Sequence, residues 1–262
     1  MYAYSTLGEN GRFGNQMFQY ATLYALSKYY STEFIIPTGE YEILDAFPNL
    51  SAKQMPKEDI IKSVDQQYRE EKFTFSSNLF LIRENTDIHG YFQSENYFSE
   101  FREGLLKEFQ FSDKTIEQSK KKLNIIHNLY GQTLCAIHFR KGDYKDLADY
   151  HTNLGPEYYN TALQWVIDNV PNVTFIAFSD DLDWCRANLP PDVVLSNADD
   201  QYQDMYMMSM CDYHIIANSS FSWWGAWLSN TSKQVIAPKK WFESKGPPAW
   251  DSIYPKGWGV CG

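Results

Sequence analysis

The chain has 262 residues, a formal net charge of −10 and an aromatic content of 17%. That length supports one large or two small domains with real cores, and the spread of aromatic residues excludes a disordered chain. The acidic balance argues against a broad nucleic-acid-binding surface, although it leaves room for a small basic pocket holding one nucleotide.

Residues 1–6 read as a short strand. The stretch GENGRFGNQ then places Gly8, Gly11 and Gly14 three apart, which matches neither the dinucleotide fingerprint nor a Walker loop. It predicts a flexible turn feeding a helix over 15–30, where Phe18, Ala21, Tyr24 and Ala25 recur at helical spacing. A strand at 33–37 stops at Pro37, and the polar stretch 38–85 gives only weak signals. Residues 87–98 predict a strand and a turn into a helix that continues to Phe109, and a charged helix follows over about 113–129.

The second half alternates more clearly. Strands at 133–140, 172–181, 192–196, 212–220 and 233–238 are apolar along most of their length, with helices predicted at 156–170, 182–188, 201–211 and 221–229. Fully apolar strands alternating with helices imply a parallel sheet covered on both faces, and such sheets bind ligands beyond the carboxyl ends of their strands. Met205, Met208 and Cys211 recur as a helical stripe that predicts packing, and Trp223, Trp224 and Trp227 predict core. The four cysteines form no C-x-x-C pair, as expected of buried thiols in a reducing compartment. No apolar run reaches the length of a membrane span and no targeting segment precedes the first strand, so a cytoplasmic protein is expected, at the inner membrane face if its acceptor is lipid-linked.

Three strand ends are rich in chemistry. In HFRKGD, His138 and Arg140 leave the strand on the same side, and Arg140 is the best phosphate ligand because its planar fork grips two oxygens. Lys141 adds a second cation; the alternative is a basic strand end paired with surface acids. In NSSFSWWGAWL, Ser219 and Ser220 open a helix and either cap it or present an anion site, with Asn218 and Phe221 beside them. In SDDLDW, Asp180 and Asp181 cap a helix, hold a metal or accept hydrogen bonds from a nucleoside. Asp204, at a helix start, is either a cap or a base-reading carboxylate. The histidines His138, His151 and His214 show no metal-ligand spacing.

The segments GRFGNQMFQYA, HGYFQSENYF, IHFRKGDY, FSDDLDW and YQDMYMMSMCDYHIIANSSFSWWGAWLS closely resemble those of the glycosyltransferase family 11 α-1,2-fucosyltransferases, as do VIAPKKWF and YPKGW. The resemblance runs in order over nearly the whole chain and is weakest over 38–85. It implies an α/β, GT-B-like enzyme with two facing Rossmann-like domains, here residues 1–130 on the acceptor side and 131–262 on the GDP-sugar side. It further implies inverting, metal-independent transfer of L-fucose from GDP-β-L-fucose to the 2-hydroxyl of galactose in an oligosaccharide or glycolipid. No cofactor is expected, because GDP-fucose is a co-substrate. By resemblance Arg140, with Lys141 beside it, contacts the diphosphate, and Ser219 and Ser220 contact the β-phosphate. Asp204 and His138 read the guanine or ribose, with Asp180 and Asp181 nearby, and Asn15 and Gln16 face the donor from the other domain. The family usually carries two consecutive arginines where this chain has Arg140 and Lys141; lysine keeps the charge and loses the fork. For the proton of the acceptor hydroxyl, Asp143 is the first candidate base, with Asp149 and His151 behind it.

Overall fold

The computed structural model describes residues 1–131, 133–142 and 149–262. Asp143 therefore lies outside the described residues. Contacts divide the chain into two compact units, Met1–Ser112 with Ala249–Pro255, and Asp113–Pro248 with Lys256–Gly262.

The first unit is built on five parallel strands: β1 (Tyr2–Ala3), β2 (Phe34–Pro37), β3 (Lys53–Met55), β4 (Gln66–Arg69) and β5 (Thr86–His89). Their order across the sheet is β3-β2-β1-β5-β4. The chain steps outward from β1 to β3, crosses to the far edge for β4, and returns to place β5 against β1. The strand order therefore reverses between β1 and β5. Helix α1 (Phe13–Tyr29) is buried on nearly every face, which is why its sequence carries so little polar patterning. The short helices α2 (Glu42–Ala46), α3 (Lys57–Ser63) and α4 (Arg102–Glu108) complete the unit. The helix expected to run from the nineties to Phe109 is instead two 3-10 turns, capped in part by Ser94, followed by α4.

The polar stretch 38–85 holds β3, β4, α2 and α3, none of which periodicity revealed. The reason is exposure. Both strands lie at sheet edges and are mostly solvent-facing, so they carry Lys, Gln and Arg where an inner strand would carry apolar residues.

The second unit opens with α5 (Asp113–Tyr130) and continues through β6 (Thr133–Phe139), α6 (Pro156–Asn169), β7 (Val173–Ser179), α7 (Leu182–Asn188) and β8 (Val194–Leu195). After α8 (Gln201–Ser209) come β9 (Tyr213–Ile215), α9 (Ser220–Trp227), β10 (Gln234–Pro238) and β11 (Gly259–Cys261). All pairings are parallel, in the order β11-β10-β9-β6-β7-β8. This is the doubly wound order with its reversal between β6 and β9. The sequence reading divided the domains at residue 130, whereas contacts assign α5 to the second unit. Its Leu123 and Ile126 pack with Leu134 and Ala136 of β6 and with Met207 and Met208 of α8, which makes the helix part of that core. Cys135, Cys185 and Cys211 are buried and free, Met205 and Met208 are buried, and Trp223, Trp224 and Trp227 form a buried ring cluster. Among the described residues, no helix is long and apolar enough to cross a membrane.

Candidate active site

The second sheet sends its strand ends into one polar cluster. Arg140 follows β6 and Asp180 follows β7, and the register that pairs Phe139 with Ser179 sets these two side by side. One Asp180 carboxylate oxygen lies 3.2 Å from Arg140 Nε. The same carboxylate accepts the backbone N–H of Lys141 at 2.8 Å and of Gly142 at 3.1 Å. Asp180 is thus a clamp that folds the turn after β6 and orients the Arg140 guanidinium, which is itself mostly buried. Gly142 is required by close approach, since a Cβ there would stand 2.7 Å from the Asp180 carboxylate.

Lys141 has turned away from this clamp. Its ammonium donates to the Leu154 carbonyl at 3.2 Å and sits 4.6 Å from the centre of the Trp184 ring. Asp181 caps α7, accepting the Trp184 N–H at 2.9 Å. Of the adjacent aspartates in SDDLDW, Asp180 therefore builds the arginine turn and Asp181 starts a helix. No group of three metal-ligating side chains occurs among the described residues.

Across the strand-order reversal, His138 joins β6 to the start of α9. Its Nδ1 lies 2.9 Å from Ser222 Oγ, and its ring packs 5.7 Å from that of Phe221. Burial, followed by the adjacent Arg140 charge, pushes the His138 pKa down to about 3, so the imidazole is neutral at physiological pH. Ser219 caps α9, with its side chain accepting from the Phe221 N–H at 3.3 Å, and Ser220 begins the helix. Backbone N–H groups at such a start carry the positive end of the helix dipole, which suits an anion. Asn218 is buried and donates to the carbonyls of Thr152 and Trp241 at 2.9 and 2.8 Å, tying two loops to the end of β9.

Asp204, in the first turn of α8, accepts a short hydrogen bond from the Ser196 hydroxyl. Burial raises its pKa to about 6, against the lowering effect of that hydroxyl. His151 bridges to Phe242, with its ring 5.6 Å from the phenyl ring, and Asp149 pairs with Lys245 at 2.7 Å.

In the first unit, Asn15 and Gln16 stand at the start of α1. Asn15 Oδ1 accepts from Gln93 Nε2 at 2.7 Å. Gly11, with φ +95°, leaves the space Asn15 occupies, since a Cβ there would fall 1.9 Å from the Asn15 amide nitrogen. Gln16 is buried; it accepts the Ile43 N–H at 3.1 Å and donates to Glu42 at 3.2 Å, so it caps α2. The sequence reading missed a cluster at the reversal of this sheet: Asp87 and His89 on β5, with Ser5 and Thr6 after β1. The available signal was the i, i+2 placement of Asp87 and His89, which puts both side chains on one face of the strand.

Known structures share this architecture. The fucosyltransferase NodZ from Bradyrhizobium matches with a TM-score of 0.55 and 14% identity, covering 95% of this chain and 96% of that one. A crystal structure of POFUT1 in complex with GDP-fucose matches with a TM-score of 0.52 and 12% identity, covering 90% and 96%. Two parallel-stranded α/β units of this kind define a GT-B-like fold. The particular family follows from the sequence: residues 3–261 match the model of glycosyl transferase family 11, and the chain belongs to that family. An α-1,2-colitosyltransferase from Escherichia coli is 30% identical, over 95% of both chains. The O-antigen biosynthesis glycosyltransferase WbnK from Escherichia coli is 30% identical, over 89% of this chain and 93% of its own. The galactoside 2-alpha-L-fucosyltransferase SEC1 from Bos taurus is 26% identical, over 88% of this chain and 66% of its own. The protein is accordingly an enzyme related to the galactoside α-1,2-fucosyltransferases.

Proposed function

We propose that the enzyme transfers L-fucose from GDP-β-L-fucose to the 2-hydroxyl of a galactose-terminated oligosaccharide or glycolipid, with inversion and without a metal. The observation that carries the reading is the Asp180 clamp, which holds the Arg140 guanidinium beyond the end of β6. A departing GDP develops negative charge on its β-phosphate, and fixed cations and N–H donors stabilise that charge without reorganising. Arg140 and the start of α9 supply both kinds of donor, and the neutral His138, fixed by Ser222, orders the space between them. Asp180 is committed to the turn, which leaves Arg140 as the counter-charge in the role a divalent ion would otherwise take. Asp204 with Ser196 offers a carboxylate and a hydroxyl for a purine edge, and Phe221 an aromatic face.

Lys141, held by Leu154 and Trp184, is the feature most open to donor tuning. Its difference from the family's second arginine, with the 30% identity to an α-1,2-colitosyltransferase, favours a second reading in which the donor sugar is colitose. The test is incubation with GDP-fucose or GDP-colitose and a panel of β-galactosides including lactose, with and without EDTA. The expected product is an α-1,2-linked fucoside, formed equally with EDTA. Colitose transfer alone would replace the donor, inhibition by EDTA would overturn the metal-free chemistry, and GDP binding without transfer to any galactoside would overturn the assignment.

A further inference from the structure

We infer that Ser196 is a positioning residue of the nucleotide site: its hydroxyl proton fixes the Asp204 carboxylate so that the pair presents acceptors only, the pattern that selects guanine by its two adjacent N–H donors. This rests on the transferase reading above and deepens its donor side. The direction of each bond follows from what each partner can donate. Ser196 follows β8 and is buried, with its backbone N–H on the Ala177 carbonyl of β7 at 2.8 Å. The Ala198 N–H lies 3.3 Å from Ser196 Oγ and can only donate, so the oxygen accepts there. The hydroxyl proton is then left for Asp204 Oδ1, with which Oγ makes a short hydrogen bond. Burial, with Asp200 adding to it, raises the Asp204 pKa to about 6, while Ser196 and Lys122 hold it down. At pH 7.5 the carboxylate is therefore ionised and has no proton to give. Among the described residues no donor is placed on Oδ2, and that atom is not sealed from solvent. A ligand meets lone pairs here and no proton.

The frame around this pair lies wholly within the second unit. Asp200 caps α8 by accepting the Gln203 N–H at 2.8 Å, and the Gln203 amide donates to Asp199 at 3.2 Å and to Gln118 of α5 at 3.0 Å. Lys122 of α5 donates to the Asn197 carbonyl and pairs with Asp199 at 2.9 Å. The backbone from 196 to 204 is thus fastened to α5, and what remains to be fixed is the Asp204 side chain itself. Ala198 and Phe221 pack against one apolar cluster, and the Phe221 ring lies 5.7 Å from that of His138. The carboxylate accordingly sits near an apolar and aromatic surface of the kind a flat base stacks on.

Guanine carries N1–H and the 2-amino group side by side on one edge. Adenine sets a donor beside an acceptor, cytosine a donor beside two acceptors, and uracil a donor between two acceptors. An ionised carboxylate matches two adjacent donors with two parallel charge-assisted bonds, as it matches a guanidinium. Against any of the other bases it faces at least one lone pair, and an acceptor left unpaired costs binding. A carboxylate free to turn about its side-chain torsions would have to be ordered by the ligand. The Ser196 hydroxyl orders it beforehand, which strengthens discrimination without touching the base.

The experiment measures binding of GDP, inosine diphosphate and ADP at pH 7.5 by calorimetry. Inosine diphosphate differs from GDP only in lacking the 2-amino group. Wild type should bind GDP about tenfold or more tighter than inosine diphosphate, and ADP more weakly still. Ser196→Ala should bring GDP and inosine diphosphate within about threefold of each other, whereas a merely structural serine would weaken all the nucleotides alike and leave their ratio unchanged. Ser196→Thr keeps the hydroxyl and should keep the ratio. Because the serine acts through the carboxylate, Ser196→Ala should cost no further discrimination when added to Asp204→Asn. An unchanged ratio in Ser196→Ala, an equal loss in Ser196→Thr, or additive losses in the double variant would overturn the positioning role. A wild type that transfers fucose yet binds GDP and inosine diphosphate alike would overturn this inference and leave the transferase reading standing. One that discriminates between them but transfers no sugar would overturn the transferase reading alone.

Discussion

At the reversal of each sheet the chain places a histidine, His138 in the second unit and His89 in the first. Each ring has a hydroxyl on Nδ1, Ser222 Oγ at 2.9 Å for one and Thr6 Oγ1 at 2.9 Å for the other. What differs is the charge behind the ring. His138 lies beside Arg140, and burial with that positive neighbour holds its pKa down to about 3. His89 has a buried carboxylate at 3.0 Å. A histidine buried beside a cation is a fixed neutral hydrogen-bonding piece, suited to an anionic ligand. Neighbouring charge, and not residue type or position in the fold, separates the surroundings of the two histidines.

The largest expected effect breaks the second-unit half of that contrast. Arg140→Ala should lower turnover by about a hundredfold or more while circular dichroism and the thermal midpoint stay near wild type. Turnover at the wild-type rate would remove the phosphate site from the end of β6. Gly142→Ala probes the clamp itself, because the new methyl group would stand 2.7 Å from the Asp180 carboxylate and displace it. With Asp180 moved, the KM for GDP-fucose should rise about tenfold, less than the loss on removing the guanidinium. An unchanged KM would mean that the arginine orients without Asp180.

The smallest effect concerns stability. The folded state raises the Asp204 pKa to about 6, chiefly by burial, so above that pH the folded protein pays to keep the charge. Asp204→Asn should therefore stabilise the protein by about 1 kcal/mol at pH 7.5, in denaturant titrations. The gain should fade as pH drops through 6 towards 4, where the wild-type carboxyl is protonated in the folded state. Stabilisation with weakened GDP binding, read by calorimetry, would identify Asp204 as a carboxylate kept for the nucleotide. Destabilisation at pH 7.5 would show instead that its bond to Ser196 outweighs the burial cost.

Legibility from the sequence followed burial. The inner strands β6, β7 and β9 carry continuous apolar runs, and their polar ends pointed to the region where Arg140 and Asp180 meet. The edge strands β3, β4 and β11 carry too little apolar pattern to announce themselves, because each has one side without a neighbour and much of its surface in water. Within the cluster, residue types alone did not separate ligands from scaffolding. Gln16, Asp181 and Asn218 have the polar groups of ligands, yet the structure commits them to capping α2, capping α7 and tying down two loops. Asp87 and His89 went unremarked because their meaning depends on Ser5 and Thr6, more than eighty residues earlier.

By itself the sequence determined the α/β class, the family and the strand end that carries the arginine, since these follow from local apolar runs, helix starts and motif chemistry. The tertiary structure decided which charges are paired: Asp180 onto Arg140 and the 141–142 turn, Lys141 onto Leu154 and Trp184, and Asp87 onto His89. The reason is that a side chain's protonation and aim depend on neighbours from other strands, and only the order and register of the sheets bring those neighbours together.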